Sequence, residues 1–272
     1  MKTDLVSVVI PTYNRLYPLA ELVESLSRQT YQNFEVIIVN DGGASVQELK
    51  KLYSFLHIDI VNVKKNVGHV EARNIGVRRA KGEYIMLMDD DDLLVSSHIE
   101  RMLKELESAD FVFSDVEIFD YDIVNNVRIP KKRTLFAYQY ELEGMRKFST
   151  YVPSGSLYRR SLHESVGYFD KDVHHYWDWD FYLRVAACFR IRKLTAATVL
   201  YAFSDKGTNQ SLLMTDTRKM YLNRLCKKHG LGTLPVRNFW LLLEEADVKK
   251  RQMKSNRIWN GEPFVSKLVR ST

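Results

Sequence analysis

Val6-Ser7-Val8-Val9-Ile10, followed by Pro11-Thr12-Tyr13-Asn14-Arg15, opens the stretch that decides the fold. A short β-branched run of this kind reads as a buried strand, and Pro11 is expected to stop it because proline cannot donate to a ladder. Leu19, Leu22, Val23 and Leu26 then recur at helical spacing. Phe34 to Val39 is a second strand-like run, ended by the turn-forming Asn40-Asp41-Gly42-Gly43. Val46 to Leu56 reads as helix, Ile58 to Val63 as strand and Val70 to Ala80 as helix. Gly82 closes that helix before a last strand, Tyr84-Ile85-Met86-Leu87-Met88. The alternation β-α-β-α-β-α-β predicts an α/β fold with a mostly parallel central sheet.

Working outward, the pattern loosens after Asp92. Ile99 to Leu106 is a helix candidate, Asp110 to Phe119 contains a strand, and residues 120–150 read as a loop-rich excursion without a firm period. A helix is expected from about Phe181 to Phe189, a late strand in Ile191 to Tyr201, and helices over Thr217 to Lys228 and Asn238 to Met253. The formal net charge is +6, yet residues from Leu212 onward carry 13 Lys and Arg against 5 Asp and Glu. That change of balance sets a boundary between a 1–211 domain and a 212–272 basic helical extension. The extension, with Phe239, Trp240, Leu241 and Leu243 in one segment, suits a homo-oligomer contact or the anionic inner face of a membrane.

Composition narrows the class. With 272 residues, 45% hydrophobic and 27% charged, the chain has ample material for a core, which excludes disorder and fibrous repeats. No apolar run approaches the ~20 residues of a spanning helix, and the N-terminus lacks a secretory-signal pattern. Cys188 and Cys226 form no metal-ligand spacing. A cytoplasmic location is the expectation.

In parallel α/β sheets ligands bind beyond the carboxyl ends of the strands. Polar residues gather at three such ends: Thr12 to Arg15, Asp41 to Gly43, and Asp89-Asp90-Asp91-Asp92. Four adjacent carboxylates repel one another, at a cost in stability unless a cation neutralises them. Oxygen ligands suit Mg2+ or Mn2+, and such ions usually combine one or two carboxylates with substrate phosphates. Neither a dinucleotide-binding nor a P-loop glycine motif is present, so metal and basic side chains such as Arg73 must meet phosphate charge. A second acidic centre, His174-His175-Tyr176-Trp177-Asp178-Trp179-Asp180, places two carboxylates among aromatic rings. Such surroundings raise a carboxylate pKa and make a general base, although either Asp is also suited to capping the next helix or pairing with Arg184.

As a set these segments resemble the family 2 glycosyltransferases. The resemblance rests on VSVVIPTYNR (Val6 to Arg15), Asn40 to Gly43, Asn66-Val67-Gly68 with Ala72-Arg73-Asn74-Ile75-Gly76, and Gly82-Glu83-Tyr84-Ile85 leading to Asp89–Asp92. Pro153-Ser154-Gly155-Ser156, Val166 to Asp170 and Trp177 to Arg184 extend it, so that it covers residues 5–200. It implies a GT-A-type nucleotide-binding sandwich and inverting transfer from a UDP-sugar to a hydroxyl of a glycan, glycoprotein or lipid-linked acceptor. An inactive sugar-nucleotide-binding or assembly subunit is the alternative. It further implies that Pro11, Thr12 and Tyr13 line the base pocket and that Asp41 accepts from a uracil N–H. Arg15, Gly68 and Arg73 join the donor site, Asp90 lies near the ribose or sugar, and Asp89 and Asp91 form the metal-binding DxD. Asp178 falls on the second position of the family's Glu-Asp pair, the base, and Trp177 replaces the Glu. The His that many relatives carry after the last core strand has no counterpart in Tyr201-Ala202-Phe203-Ser204-Asp205.

Overall fold

The computed structural model describes residues 4–203, 216–237 and 243–270. The first half alternates as its periods predict. Strand β1 (Val6–Thr12), helix α1 (Leu16–Ser27), β2 (Phe34–Asn40), α2 (Gln47–Leu52), β3 (Ile58–Asn62), α3 (His69–Arg79) and β4 (Tyr84–Leu87) follow one another. Then come β5 (Leu93–Leu94), α4 (His98–Leu106), β6 (Phe111–Val124), β7 (Val127–Phe136), α5 (Leu142–Lys147), β8 (Leu157–Arg159) and α6 (Leu162–Val166). A 3-10 turn over Lys171–Tyr176 leads into α7 (Trp177–Ala186), β9 (Ile191–Ala202), α8 (Asp216–His229), α9 (Ala246–Lys249), β10 (Asn256–Arg257) and α10 (Lys267–Arg270).

One sheet runs in the order β10-β9-β6-β8-β4-β1-β2-β3, with β5 on β9 and β7 on β6. The β3-β2-β1-β4 half is parallel. β8 is inserted antiparallel between β4 and β6, and β6 and β9 are parallel again. Every residue of β1 and β2 is buried, as expected for strands covered on both faces. Gly76 lets α3 close onto that sheet: a Cβ there would sit 2.4 Å from Cγ1 of Val9. Side chains on the two faces form two hydrophobic clusters, one around Val8, Leu22 and Met86, the other around Val9, Phe111 and Phe181.

Four expectations need correction. β1 continues through Pro11 to Thr12. Thr12 O accepts from the Asp41 N–H on the β2 side, so Val9 and Pro11 face β4, which has already ended there. Proline therefore costs no ladder bond. Residues 120–150 are largely not loop: β6 and β7 form a hairpin whose turn, Asn125-Asn126, holds φ of 49° and 60°. Asparagine tolerates this left-handed pair, which matches strand twist. Helix α7 starts at Trp177, not Phe181, so Asp178 and Asp180 both lie in its first turn. Finally, the helix expected over 238–253 is only α9 within the described residues. The Gln139 N–H donates to Arg251 O (2.7 Å) and the Met253 N–H to Ala137 O (3.0 Å), so backbone pairing with 137–139 replaces helical bonding. Phe239, Trp240 and Leu241 lie outside the described residues, as do Leu212 and Ser204-Asp205. Among the described residues no helix is long and apolar enough to cross a membrane.

Candidate active site

The loops at the carboxyl ends of β1, β2 and β4 are laced together by side chains. Asn14 Oδ1 accepts from the Ala44 N–H (2.8 Å), tying the first loop to the second. Asp41 is buried, and its two oxygens accept from the N–H groups of Val67 (2.7 Å) and Gly68 (2.9 Å), fixing the entrance to α3. The backbone of the acidic loop is held from below. The Asp89 N–H donates to Ser154 Oγ (3.0 Å), and the Gly155 N–H to Leu87 O (2.7 Å). Gly155 has φ +77°, and a Cβ on it would lie 2.3 Å from Cγ2 of Val199. Arg128, from β7, donates to Asp91 O (2.5 Å) while paired with Glu21 (2.5 Å). That support comes from the segment that reads as loop in sequence.

Each aspartate of the loop has its own partner. Asp89 pairs with Arg73. Asp90 accepts from Thr12 Oγ1 (2.7 Å) and lies 3.4 Å from Arg15, and Asp91 pairs with Arg15 at 2.5 Å. Asp92 is fully buried and accepts from the Ala202 N–H (3.1 Å). The repulsion expected from four carboxylates is thus offset by two guanidinium groups, while burial favours the uncharged form of Asp90 and Asp92. Burial, then the charge of Asp91, pushes the Asp90 carboxyl up to about 7. Asp92 is pushed well above the carboxylate range, again by burial first. Asp89 and Asp91 keep 31% and 22% side-chain exposure towards the cavity. Two oxygen donors beside crowded acidic neighbours fit a hard divalent cation that takes its other ligands from a diphosphate. Among the described residues no three His, Cys, Asp or Glu side chains form a complete metal cage.

The second acidic centre sits opposite. Asn74, in α3, donates to Phe169 O (2.9 Å) and accepts from the Phe169 N–H (3.0 Å), which docks the approach to α7 on α3. The Trp177 ring lies under the Arg73 guanidinium, 4.3 Å from Cζ to the ring centroid. Arg73 also approaches His69 Nδ1 (2.9 Å) and donates to His69 O (3.0 Å). Trp177 thus gives Arg73 an aromatic floor. Asp180 is buried, ion-paired with Arg184 (2.8 Å) and Lys228 (2.8 Å), and lies 2.8 Å from His229 Nε2. Against the burial that would raise it, the hydrogen bond from His229 and these charges hold Asp180 down to about 2. Asp178 has no ion-pair partner among the described residues. Burial pushes it up to about 6, against the helix-start N–H groups of Trp179 and of Asp178 itself. The two carboxylates that the sequence leaves equivalent are therefore opposites: one locked, one available.

A single cavity of about 1280 Å³ takes in Pro11, Thr12, Tyr13, Arg15, Asp41, Gly68, Arg73, Asp89, Asp90, Asp91 and Asp178. Residues without a sequence signal complete it: His69, Tyr151, side chains of α5, Leu234, Pro235 and Arg237, and Glu245, Asp247, Val248, Lys250 and Arg251. His174 contacts His69 (3.2 Å between ring nitrogens) rather than forming a metal pair with His175.

The model of glycosyl transferase family 2 matches residues 7–167, more than half of the chain. The chain belongs to family 2 of the glycosyltransferases. A Bacillus subtilis protein described as the uncharacterized glycosyltransferase YwdF is 56% identical to this family member over 266 residues, 98% of this chain and 99% of that protein. A Rickettsia bellii glycosyltransferase is 41% identical over 112 residues, 16% of its own length. Among solved structures, Staphylococcus aureus TarS 1-349 in complex with UDP-GlcNAc superimposes with a TM-score of 0.65 at 19% identity, covering 82% of this chain and 66% of that one. The mannosyltransferase PcManGT from Pyrobaculum calidifontis, in complex with GDP-Man and Mn2+, gives 0.61 at 17% identity, covering 85% and 65%. This family 2 chain therefore has the GT-A fold and spans about two thirds of the solved structures it matches.

Proposed function

We propose that this glycosyltransferase moves a hexose or N-acetylhexosamine from a UDP-sugar to an acceptor hydroxyl of a glycan, glycoprotein or lipid-linked molecule, with inversion. One observation carries the reading: a carboxylate without an ion pair, Asp178, shares one cavity with an acidic loop cross-linked by arginines. The donor lies between Pro11, Thr12, Tyr13 and Gly68, with Tyr13, half exposed on the cavity, against the base. Asp41 still has acceptor lone pairs beside its two backbone bonds and takes a uracil N–H. The UDP-GlcNAc complex of TarS supports that nucleotide. Asp91, with Asp89, would hold Mn2+ or Mg2+, which when bound supplies positive charge against the departing diphosphate.

Asp178 accepts the proton of the acceptor hydroxyl as its oxygen bonds to the anomeric carbon, and the bond from that carbon to the diphosphate oxygen breaks. Arg73 stays held by the Trp177 ring and lies where leaving-group charge develops. These groups all come from the 1–211 part of the chain, and Leu234, Arg237, Lys250 and Arg251 line the same cavity. The test is Asp178→Asn. UDP affinity is expected to persist while transfer falls by at least ~10²-fold, the scale of general-base catalysis. Undiminished turnover in that variant rejects the assignment. UDP-sugar hydrolysis by the unaltered protein separates transferase from an inactive binding subunit.

A further inference from the structure

The basic side chains around the cavity are not equivalent. Arg15, Arg73, Lys147, Arg237 and Lys250 each have a carboxylate partner, with Lys147–Glu143 at 3.3 Å, Arg237–Glu245 at 2.6 Å and Lys250–Asp247 at 3.5 Å. Arg251 differs. It is 91% buried, leaving 9% exposed, yet it lines the cavity. Its Nη2 donates to Gln139 O (3.3 Å) and Thr150 Oγ1 (3.1 Å). Among the described residues its Nε makes no hydrogen bond, as is also true of the Nε of Arg73, and Glu141, the carboxylate within ion-pair reach, stands 4.0 Å away with 60% of that side chain in solvent. A buried guanidinium is costly unless its charge and donors are met.

The surroundings keep the group in place. Gly144 in α5 lies against it, and a Cβ there would fall 2.7 Å from Cζ and 3.0 Å from Nη1. The next residue, Met145, accepts from Trp179 Nε1 (2.8 Å), one position along α7 from Asp178. Arg251 is thereby tied through α5 to the helix that bears the proposed base.

We infer that Arg251 binds an oxyanion carried by the acceptor, a phosphate or a carboxylate near the hydroxyl that is glycosylated. The inference rests on the transferase reading above, in which this end of the cavity holds the acceptor. A planar fork with unmet donors suits either group and rejects a neutral hydroxyl, because a neutral ligand leaves the charge uncompensated.

The test uses the full chain with Mn2+ and UDP bound, titrated by saturation-transfer NMR with three probes: glycerol 2-phosphate, methyl glucuronoside and methyl glucoside. At least one anion is expected to bind ~10-fold or more tightly than the neutral glucoside, the scale of a hydrogen bond to a charged partner. Whichever anion wins identifies the source. Arg251→Gln is expected to erase the preference while UDP still binds; a purely structural role would weaken all three probes alike. Arg251→Lys, which keeps the charge, serves if the Gln variant does not fold, and the unaltered protein alone decides the anion preference. Equal affinity for all three probes, with UDP bound, overturns the inference and leaves the transferase reading standing. Failure to bind UDP overturns the reading beneath it.

Discussion

Asp178 and Asp180 show how two identical side chains in one helical turn diverge. Asp178 has its folded pKa raised from 3.8 to about 6. The stability it contributes is therefore full below pH 3.8 and lost as pH rises through about 6. Transfer needs the ionised form, so kcat/KM is expected to rise with pH through an apparent pKa of about 6, and that limb should vanish in Asp178→Asn. The same variant, which removes a half-buried charge without an ion-pair partner among the described residues, should melt no lower than the parent at pH 7.5; a lower Tm would show that the carboxylate is a structural ligand instead. Asp91→Ala should abolish the difference between UDP affinities measured by calorimetry with and without Mn2+, and a persisting difference would move the cation elsewhere. That acidic side chains gather at these positions was legible because runs of carboxylates are conspicuous. Which carboxylate is locked was not, because Lys228 and His229 come from α8, 48 and 49 residues beyond Asp180.

At the scale of elements, the α8-to-α7 ionic lock makes its own prediction. Asp180 is held below its ordinary value, so its contribution is present above pH 3.8 and disappears as pH falls towards about 2. Asp180→Asn should destabilise the fold by about 3 kcal/mol at pH 7, the scale of breaking a buried pair, and flatten acid unfolding in that window. Urea titration at pH 7 and pH 3 checks both. The β1-to-β4 alternation was readable because strands buried on both faces leave unbroken apolar runs. The β6–β7 hairpin was not, because β7 carries Pro130, Lys131, Lys132 and Arg133 in an edge strand that pairs only with β6. Its exposed residues blur the period of two, and the Asn125-Asn126 turn was the one signal available.

Across the whole molecule, part of the basic charge beyond position 212 is met within the chain itself. Basic residues beyond position 212 meet acids of the body: Lys228 with Asp170 and Asp180, Arg257 near Glu117 (3.7 Å), Arg270 near Glu24 (3.7 Å). Trp259, Phe264 and Leu268 are buried in the same cluster as Val8 and Leu22. Trp259→Ala is expected to cost about 3 kcal/mol or more, the range for deleting a buried indole, measurable by urea unfolding. A value near zero would mean that the C-terminal stretch merely rests on the surface. Arginines as built-in counter-ions have one more consequence. Because Arg15 and Arg73 already balance Asp91 and Asp89, dialysis against EDTA should leave the melting temperature within about 1 °C while UDP affinity falls. Such a protein would tolerate intervals of metal starvation as an intact but idle reserve, ready again when the ion returns.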